Sequence, residues 1–248
     1  MRIAVAHLYP DYLNIYADRG NIAVLTRRAA LRGHALHVTG VEPGDQLDPS
    51  AFDLLYVGGG QDREQALIAP DLAQRGEAIV ASVEAGTAVL AVCGGYQLLG
   101  RGYRGQDGSW MPGAGVLPVE TVAGERRLIG DVLLEADLGG GITIPVAGFE
   151  NHAGRTLLDP GATPLGRVIA GHGNDGASGF EGCRVGAAIG TYLHGPLLPR
   201  NPELADWLLA RALEHAGAPG ELEPLSDELE RLAHAVSAGR ARSRGGRR

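Results

Sequence analysis

Lysine is absent from this chain of 248 residues, and all 22 basic residues are arginine. The absence excludes a Walker A phosphate loop and any lysine Schiff base, because both depend on the side-chain amine of lysine. We expect no cofactor on this chain. Any ATP-driven step in which it takes part would use a second protein.

Cysteine is scarce as well. Cys93 and Cys183 are too few for a disulfide framework, and they lack the spacing of a zinc site, so we expect no metal. We expect Cys183 to be a buried, inert thiol. No stretch approaches the roughly 20 apolar residues of a membrane-spanning helix. The N-terminus begins as a strand and not as a signal peptide. These absences predict a cytoplasmic protein.

The charge is unevenly distributed. The net charge is −7, although residues 240–248 contain five arginines and no acid. An acidic body argues against nucleic acid as the main partner. The composition of residues 239–248 predicts a disordered tail. The alternative for this tail is contact with anionic lipid or with an acidic partner surface.

Hydrophobic patterns predict alternating strands and helices in the first half of the chain. Strands are predicted at 3–8, 36–41, 53–57 and 88–92, with helices at 18–32 and 63–85. This order predicts a doubly wound α/β fold with ligand chemistry at the C-terminal ends of parallel strands.

The second half begins near residue 113 with shorter β-type segments. We expect these to form an antiparallel or mixed extension of the same sheet. A further strand is predicted at 187–193, followed by helices at 201–215 and 226–238.

Three predicted strand ends carry groups suited to chemistry: the Gly58–Gly60 loop, Cys93 and His194. Cysteine and histidine together suit thiol acyl transfer, because the histidine accepts the thiol proton and later protonates the leaving amine. The alternative for His194 is a structural histidine. Its position at the end of an apolar strand, before Gly-Pro, favours the catalytic interpretation.

Glycines surround the predicted nucleophile. Gly94 and Gly95 follow Cys93 directly, and we expect them to allow a sharp turn with unusual backbone angles. The main-chain amides of Gly59, Gly60 and Gly94 are the predicted oxyanion site, because glycine lets a substrate approach the backbone closely.

Five segments resemble a known family. Residues 91–100 (AVCGGYQLLG) and 190–196 (GTYLHGP) are similar to the nucleophile and histidine segments of class I glutamine amidotransferases related to cobyric acid synthase. Three more segments are similar to the GatD family, the glutaminase subunits of lipid II isoglutaminyl synthases: LNIYADRGN at 13–21, GGGQDREQ at 58–65 and GFENHAGRT at 148–156.

This resemblance covers about residues 1–216, which we interpret as one glutaminase domain. Residues 217–238 are then a helical extension, and 239–248 are the tail. The resemblance implies a class I amidotransferase-like (flavodoxin-like) three-layer sandwich with a mostly parallel central sheet.

The resemblance also implies an activity and a partner. GatD-like subunits hydrolyse L-glutamine and pass ammonia to a Mur-ligase-like partner of the MurT type. That partner binds ATP and magnesium, and it amidates the D-glutamate of lipid II for peptidoglycan synthesis. The partner and its substrate would hold the chain near the inner face of the membrane. The lysine-free composition fits this division of labour.

Carried over residue by residue, the resemblance makes Cys93 the nucleophile and His194 the base. Gln97 matches a position beside the substrate glutamine. Arg127 matches an arginine that binds the substrate, and an arginine suits a free α-carboxylate. Arg126 is the alternative, because the sequence does not fix which neighbour points inward.

One position departs from the family of triad amidotransferases, which carry a glutamate two residues after the histidine. Here that position is Pro196, so either another acid of this chain or an aspartate of the partner orients His194. Glu150, Asn151 and His152 either line the site or order a loop.

Two other functions are compatible with these segments. One is an amidotransferase for another acceptor, such as a cobyrinic acid-type substrate. Those enzymes usually carry a synthetase domain on the same chain. The other is a non-enzymatic binding module of the same fold. Such relatives usually lose the cysteine or the histidine, and both are present here.

Overall fold

The structure, a computed structural model, describes residues 1–14 and 19–245. The strands in chain order are β1 (Arg2–Leu8), β2 (Ala35–Val41), β3 (Leu54–Val57), β4 (Ala88–Val92), β5 (Gly102–Arg104), β6 (Trp110–Pro112), β7 (Val119–Asp137), β8 (Thr143–Leu158), β9 (Gly166–Ala170), β10 (Phe180–Glu181), β11 (Cys183–Val185) and β12 (Ala188–Thr191). The α-helices are α1 (Arg19–Ala30), α2 (Asp62–Gln74), α3 (Gly76–Glu84), α4 (Gly94–Leu99), α5 (Pro202–His215) and α6 (Glu228–Gly245).

The first sheet has the strand order β11-β12-β4-β3-β1-β2. All neighbouring pairs are parallel except β11 with β12. Every residue of β3 and β4 is buried, and continuous apolar runs of this kind are typical of strands covered on both faces. The predicted α/β fold with a mostly parallel sheet is confirmed.

A second sheet contains most of the strands after residue 100, with the order β10-β9-β7-β5-β6 and with β8 paired to β7. The prediction that this region extends the first sheet is therefore wrong. The edge beside β12 is already occupied by β11, so the long β7–β8 hairpin pairs with itself and with its own neighbours. Pairing between strands that are close in sequence also has the smaller loop-closure cost.

The helical stretch predicted over 63–85 is divided into α2 and α3. Pro70 lies inside α2, and the chain turns at Arg75 between the two helices. Gly76 begins α3 and packs against the main chain of Ala114, where a side chain would not fit. A tertiary contact therefore decides where the helix is interrupted.

The C-terminal helix is longer than predicted. α6 includes residues 239–245, for which we predicted disorder, and it begins two residues later than the predicted helix over 226–238. Residues 246–248 lie outside the described part of the chain, as do residues 15–18 of the segment at 13–21. Within residues 1–14 and 19–245, no helix combines the length and apolarity that crossing a membrane requires.

Packing explains the extra turns of α6. Ala238 and Ala241 are buried in a small apolar cluster with three residues of the second sheet, Leu133, Ala147 and Ala170. Most helical stability in proteins comes from such packing of one face. The arginine-rich composition, from which disorder was predicted, gives no information about this buried face.

A buried ion-pair network fastens the C-terminal extension to the body. Arg28 on α1 is paired with Asp206 on α5 at 2.7 Å and with Asp227, just before α6, at 2.6 Å. Arg32 is also paired with Asp206, at 2.7 Å. The side chains of Arg28 and Arg32 are only 5% and 3% exposed, so each charge depends on its partners.

Arg28→Ala should destabilise the protein by about 3 kcal/mol or more, because it leaves the buried carboxylate of Asp227 without its guanidinium partner. The free energy of unfolding in urea measures this change. Arg19→Ala is the matched control, since its ion pair with Asp11 is exposed and should contribute less than about 1 kcal/mol. Equal effects of the two substitutions would contradict a structural role for the buried network.

Candidate active site

The three strand ends that carry the predicted site residues meet at one edge of the first sheet. β4 lies between β3 and β12, so Cys93 lies between the Gly58–Gly60 loop and the segment that carries His194. The N–H of Cys93 donates to the carbonyl of Thr191 at 2.8 Å, and the N–H of Gly95 donates to that of Gly58 at 3.0 Å. The parallel register therefore brings together groups that are about 35 and 100 residues apart in the sequence.

The backbone of Cys93 is strained. Its φ is 50° and its ψ is −105°, a region that costs a non-glycine residue about 1–3 kcal/mol. The following glycines were expected to supply the unusual angles. That expectation is wrong, because the positive φ belongs to the cysteine and Gly94 and Gly95 are helical.

Gly94 and Gly95 are required for space and not for backbone freedom. A Cβ on Gly94 would lie 2.8 Å from the amide nitrogen of Gly60, and one on Gly95 would lie 2.6 Å from the carbonyl oxygen of Val57. Both distances are far inside van der Waals contact. The amide of Gly60 therefore lies beside Gly94, the residue that follows Cys93, and Gly59 belongs to the same loop.

A cavity of about 690 Å³ opens above Cys93, which is within the range of small-molecule sites. Its wall includes three of the predicted site residues besides the cysteine: Gly60, Gln97 and Arg127. Gln65 also lines it and was not predicted as a site residue. Its Nε2 donates to the carbonyl of Gly60 at 3.0 Å, which holds the glycine loop in place.

Arg127 reaches the cavity from an irregularity in β7, where the pairing with β8 shifts register between Ala123 and Leu128. Its Nε donates to Oδ1 of Asn151, and its Nη2 donates to the carbonyl of the same residue, both at 2.8 Å. Asn151 therefore orients the guanidinium. Of the two candidate arginines, Arg127 is the one that forms part of the cavity wall.

Gln97 is held by a buried chain of hydroxyl groups. Its Nε2 donates to the Tyr192 hydroxyl at 3.0 Å, and this hydroxyl is 2.6 Å from Oγ1 of Thr156. Thr156 is in turn 2.7 Å from Oγ1 of Thr121. Only the tertiary fold joins these residues, so no local sequence signal identified them. These linked hydrogen bonds fix the side chain of Gln97 in the wall of the cavity.

The environment of His194 favours its neutral form. The residue is 1% exposed, and its main-chain N–H donates to the carbonyl of Phe149 at 3.0 Å. Burial lowers its pKa to about 4, assisted by the charges of His152 and Arg127. A histidine with such a pKa remains neutral at pH 7 and is able to accept a proton.

Cys183 has the opposite character to a reactive thiol. It is fully buried on β11, and burial raises the pKa of its thiol to about 12. The prediction that Cys183 is buried is confirmed, and its raised pKa favours the protonated thiol.

Pro196 stands where triad amidotransferases have their glutamate. Its ring packs against Gly20 at the start of α1, so closely that a Cβ on Gly20 would lie 2.8 Å from the proline ring. The position therefore has a packing role and provides no acid for His194.

Comparison with known proteins identifies the family of the chain. Residues 4–202 match the family model of the CobB/CobQ-like glutamine amidotransferase domain. The chain is 39% identical to the lipid II isoglutaminyl synthase subunit GatD of Staphylococcus aureus strain N315, over 96% of each protein. It is 38% identical to the subunit of the same name from Streptococcus pneumoniae, over 86% of this chain and 81% of that protein.

Two further comparisons are more distant. A cobyric acid synthase of Pelotomaculum thermopropionicum is 36% identical over 62% of this chain, but the match spans only 33% of that protein. The crystal structure of a glutamine amidotransferase from Thermotoga maritima superposes with a TM-score of 0.51 at 18% identity, over 98% of this chain and 94% of that one. The second likeness supports the fold alone. By its sequence matches, the chain belongs to the CobB/CobQ-like glutamine amidotransferase family and, within it, to the GatD subunits.

Proposed function

We propose that this chain is the glutaminase subunit of a lipid II isoglutaminyl synthase. It hydrolyses L-glutamine and delivers the ammonia to a Mur-ligase-like partner of the MurT type, on the cytoplasmic side of the membrane. The observation that carries the proposal is the single cavity that combines a strained cysteine, Gln97 and Arg127. The similarity to GatD subunits over nearly the whole chain supports the choice of acceptor.

The chemistry uses Cys93 as nucleophile and His194 as base. His194 accepts the thiol proton, and the thiolate attacks the side-chain carbonyl carbon of glutamine. The amides of Gly60 and Gly94 stabilise the oxyanion. The protonated His194 then gives its proton to the leaving ammonia, and a thioester with Cys93 remains. A water molecule deprotonated by His194 hydrolyses this thioester and releases glutamate.

Arg127 provides the anchor for the substrate. A guanidinium forms two parallel hydrogen bonds with a carboxylate, and Asn151 already fixes its orientation. The α-carboxylate at Arg127 and the side-chain amide at Cys93 would align glutamine along the cavity. This arrangement selects a free amino acid over a protein-bound glutamine, which has no α-carboxylate.

We assign to the partner the acid that orients His194 and the site that binds ATP and magnesium. Because Pro196 provides no acid, we propose that an aspartate of the Mur-ligase-like partner orients His194. ATP and magnesium belong to the partner, which activates the D-glutamate carboxylate of lipid II and receives the ammonia. This division would make the isolated chain a slow glutaminase and would couple hydrolysis to assembly of the complex.

Cys93→Ala should reduce glutamine hydrolysis by about 10³-fold or more, because no other group forms the thioester. Release of glutamate and ammonia measures the rate. Cys183→Ala is the matched control and should retain most of the wild-type rate. Substantial hydrolysis by the Cys93 variant would remove this residue from its role.

Arg127→Ala should raise the KM for glutamine by about 10- to 100-fold, the loss expected for charge-assisted hydrogen bonds to the substrate. Arg126→Ala is the matched control. It removes one positive charge from the neighbouring residue and should leave KM nearly unchanged. The reverse pattern would assign the carboxylate to Arg126.

Purification with a candidate Mur-ligase-like partner tests the proposed complex. The expected result is amidation of lipid II that requires glutamine, ATP and magnesium together, with glutamine hydrolysis faster than in the isolated chain. Equal rates of glutamine hydrolysis by the isolated chain and by the complex would contradict the proposal that the partner supplies an aspartate. An intact complex that does not amidate lipid II would contradict this acceptor and leave only the general amidotransferase assignment.

A further inference from the structure

The C-terminal helix α6 exposes a row of apolar side chains to solvent. Leu229, Leu232 and Val236 are 78%, 63% and 49% exposed. Their spacing of three and four residues places them on one face of the helix, over a length of about 10 Å. Single exposed apolar residues are common on protein surfaces, but three in a row on one helix face indicate a contact surface.

The exposed row points away from the body of the protein. The residues that anchor α6 lie on its other side, where Ala238 and Ala241 are 4% and 1% exposed against the second sheet. On that side, Nδ1 of His234 also lies 3.1 Å from the carbonyl oxygen of Arg200. Packing against the body therefore does not explain the exposed row. Helix formation does not explain it either, because valine, with its branched Cβ, is a weaker helix former than alanine or glutamate.

The charge of α6 is divided along its length. Glu228 and Glu230 lie in the first turn, where carboxylates stabilise the N-terminus of a helix. Arg240 and Arg242 are exposed near the other end, and residues 240–248 contain five arginines and no acid. Since the whole chain has a net charge of −7, its attraction to an anionic surface is concentrated at the C-terminal end of this helix.

Arg240 joins the apolar row to the basic end, because it follows Val236 by about one helical turn and lies on the same face. A helix with apolar side chains and arginines arranged in this way suits the boundary between the headgroups and the acyl chains of a membrane. Guanidinium groups also form strong hydrogen bonds with lipid phosphates. α6 is not long and apolar enough to cross a bilayer, so the helix would lie in the plane of the surface.

A second copy of the chain fits this surface less well. Two α6 helices in contact would bury only three large apolar side chains from each copy, whereas a stable protein interface buries about 1,200 Å² or more in total. A parallel pair of helices would also bring the arginines of the two copies together. A lipid surface complements the arginines with its anionic headgroups and accepts an apolar row of this size.

We propose that the exposed face of α6, with the arginines at its C-terminal end, is a docking surface for an anionic membrane. Leu232 and Val236 enter the headgroup region, and Arg240 and Arg242 pair with lipid phosphates. This inference goes beyond the proposed glutaminase function and does not depend on it. Under that function, the contact would place the chain at the surface that contains its lipid-linked acceptor.

Co-sedimentation of the full chain with lipid vesicles tests the electrostatic part. We expect binding to vesicles of equal parts phosphatidylglycerol and phosphatidylcholine, much weaker binding to pure phosphatidylcholine, and release by high salt. Arg240→Ala/Arg242→Ala should lower the partition coefficient by about 30-fold, since each arginine near an anionic surface contributes about fivefold. Arg2→Ala/Arg27→Ala is the matched control, because both arginines are exposed outside α6. Equal binding to the two kinds of vesicle, or equal effects of the two double variants, would overturn the inference.

The same measurement tests the apolar part. Leu232→Gln/Val236→Gln removes the apolar contact and keeps residues that form helices well, so binding to the anionic vesicles should fall by about tenfold. The melting temperature should stay the same, because both side chains are exposed. Leu31→Gln/Leu67→Gln is the matched control, since these leucines are 57% and 63% exposed outside α6. Unchanged binding by the α6 variant would contradict a contact through this face.

Two other occupants of this face would give different results. A dimer in light scattering that Leu232→Gln/Val236→Gln converts to a monomer would assign the face to a second copy. Loss of the complex with the Mur-ligase-like partner in the same variant would assign it to that protein. Either result would overturn the membrane assignment. Absence of vesicle binding would leave the proposed glutaminase function intact, and absence of glutamine hydrolysis would contradict that function and leave the docking surface intact.

Discussion

The backbone of Cys93 is the constraint on which the site depends. A left-handed φ at a cysteine persists only where the surroundings hold it. Here the carbonyl of Thr191 holds the N–H of Cys93, and the carbonyl of Gly58 holds the N–H of Gly95. The turn is thus fixed between two parallel strand ends. Both supports come from the same sheet that positions the glycine loop and the segment of His194, so a change in strand register would displace Cys93, the glycine loop and His194 together.

The second sheet adds the part of the cavity wall that contains the predicted substrate anchor. The β7–β8 hairpin carries Arg127, Asn151 and His152 to the open side of the cavity. A bridge between Phe149 and His194 joins this hairpin to the end of the first sheet. On the hairpin's other side, α6 packs against Leu133 and its neighbours. The C-terminal extension therefore braces the wall that holds the predicted substrate anchor.

Buried polar groups are concentrated between the two sheets. Glu150, Glu181, His152 and Tyr192 have almost no solvent exposure, and in this low-dielectric region each needs hydrogen bonds or an opposite charge. Glu150 accepts the main-chain N–H groups of His172 and Gly173, and Glu181 accepts that of Tyr192.

Much of the fold and the core of the site were predictable from local patterns. Apolar runs marked β3 and β4, and a cysteine followed by two glycines marked the turn after β4, because these signals lie within a few neighbouring residues. The separate second sheet and the length of α6 were not predictable. They depend on which strand occupies the edge beside β12 and on the burial of Ala238 and Ala241.

The sequence by itself therefore determined the α/β order, the cysteine at the turn after β4 and the family. Only the tertiary structure decided that the strain lies on Cys93, that Arg127 and not Arg126 lines the cavity, and that Glu150 and His152 form a buried pair. The physical reason is that backbone strain, side-chain direction and the burial of polar groups depend on contacts between segments far apart in the chain. Local propensity does not predict those contacts.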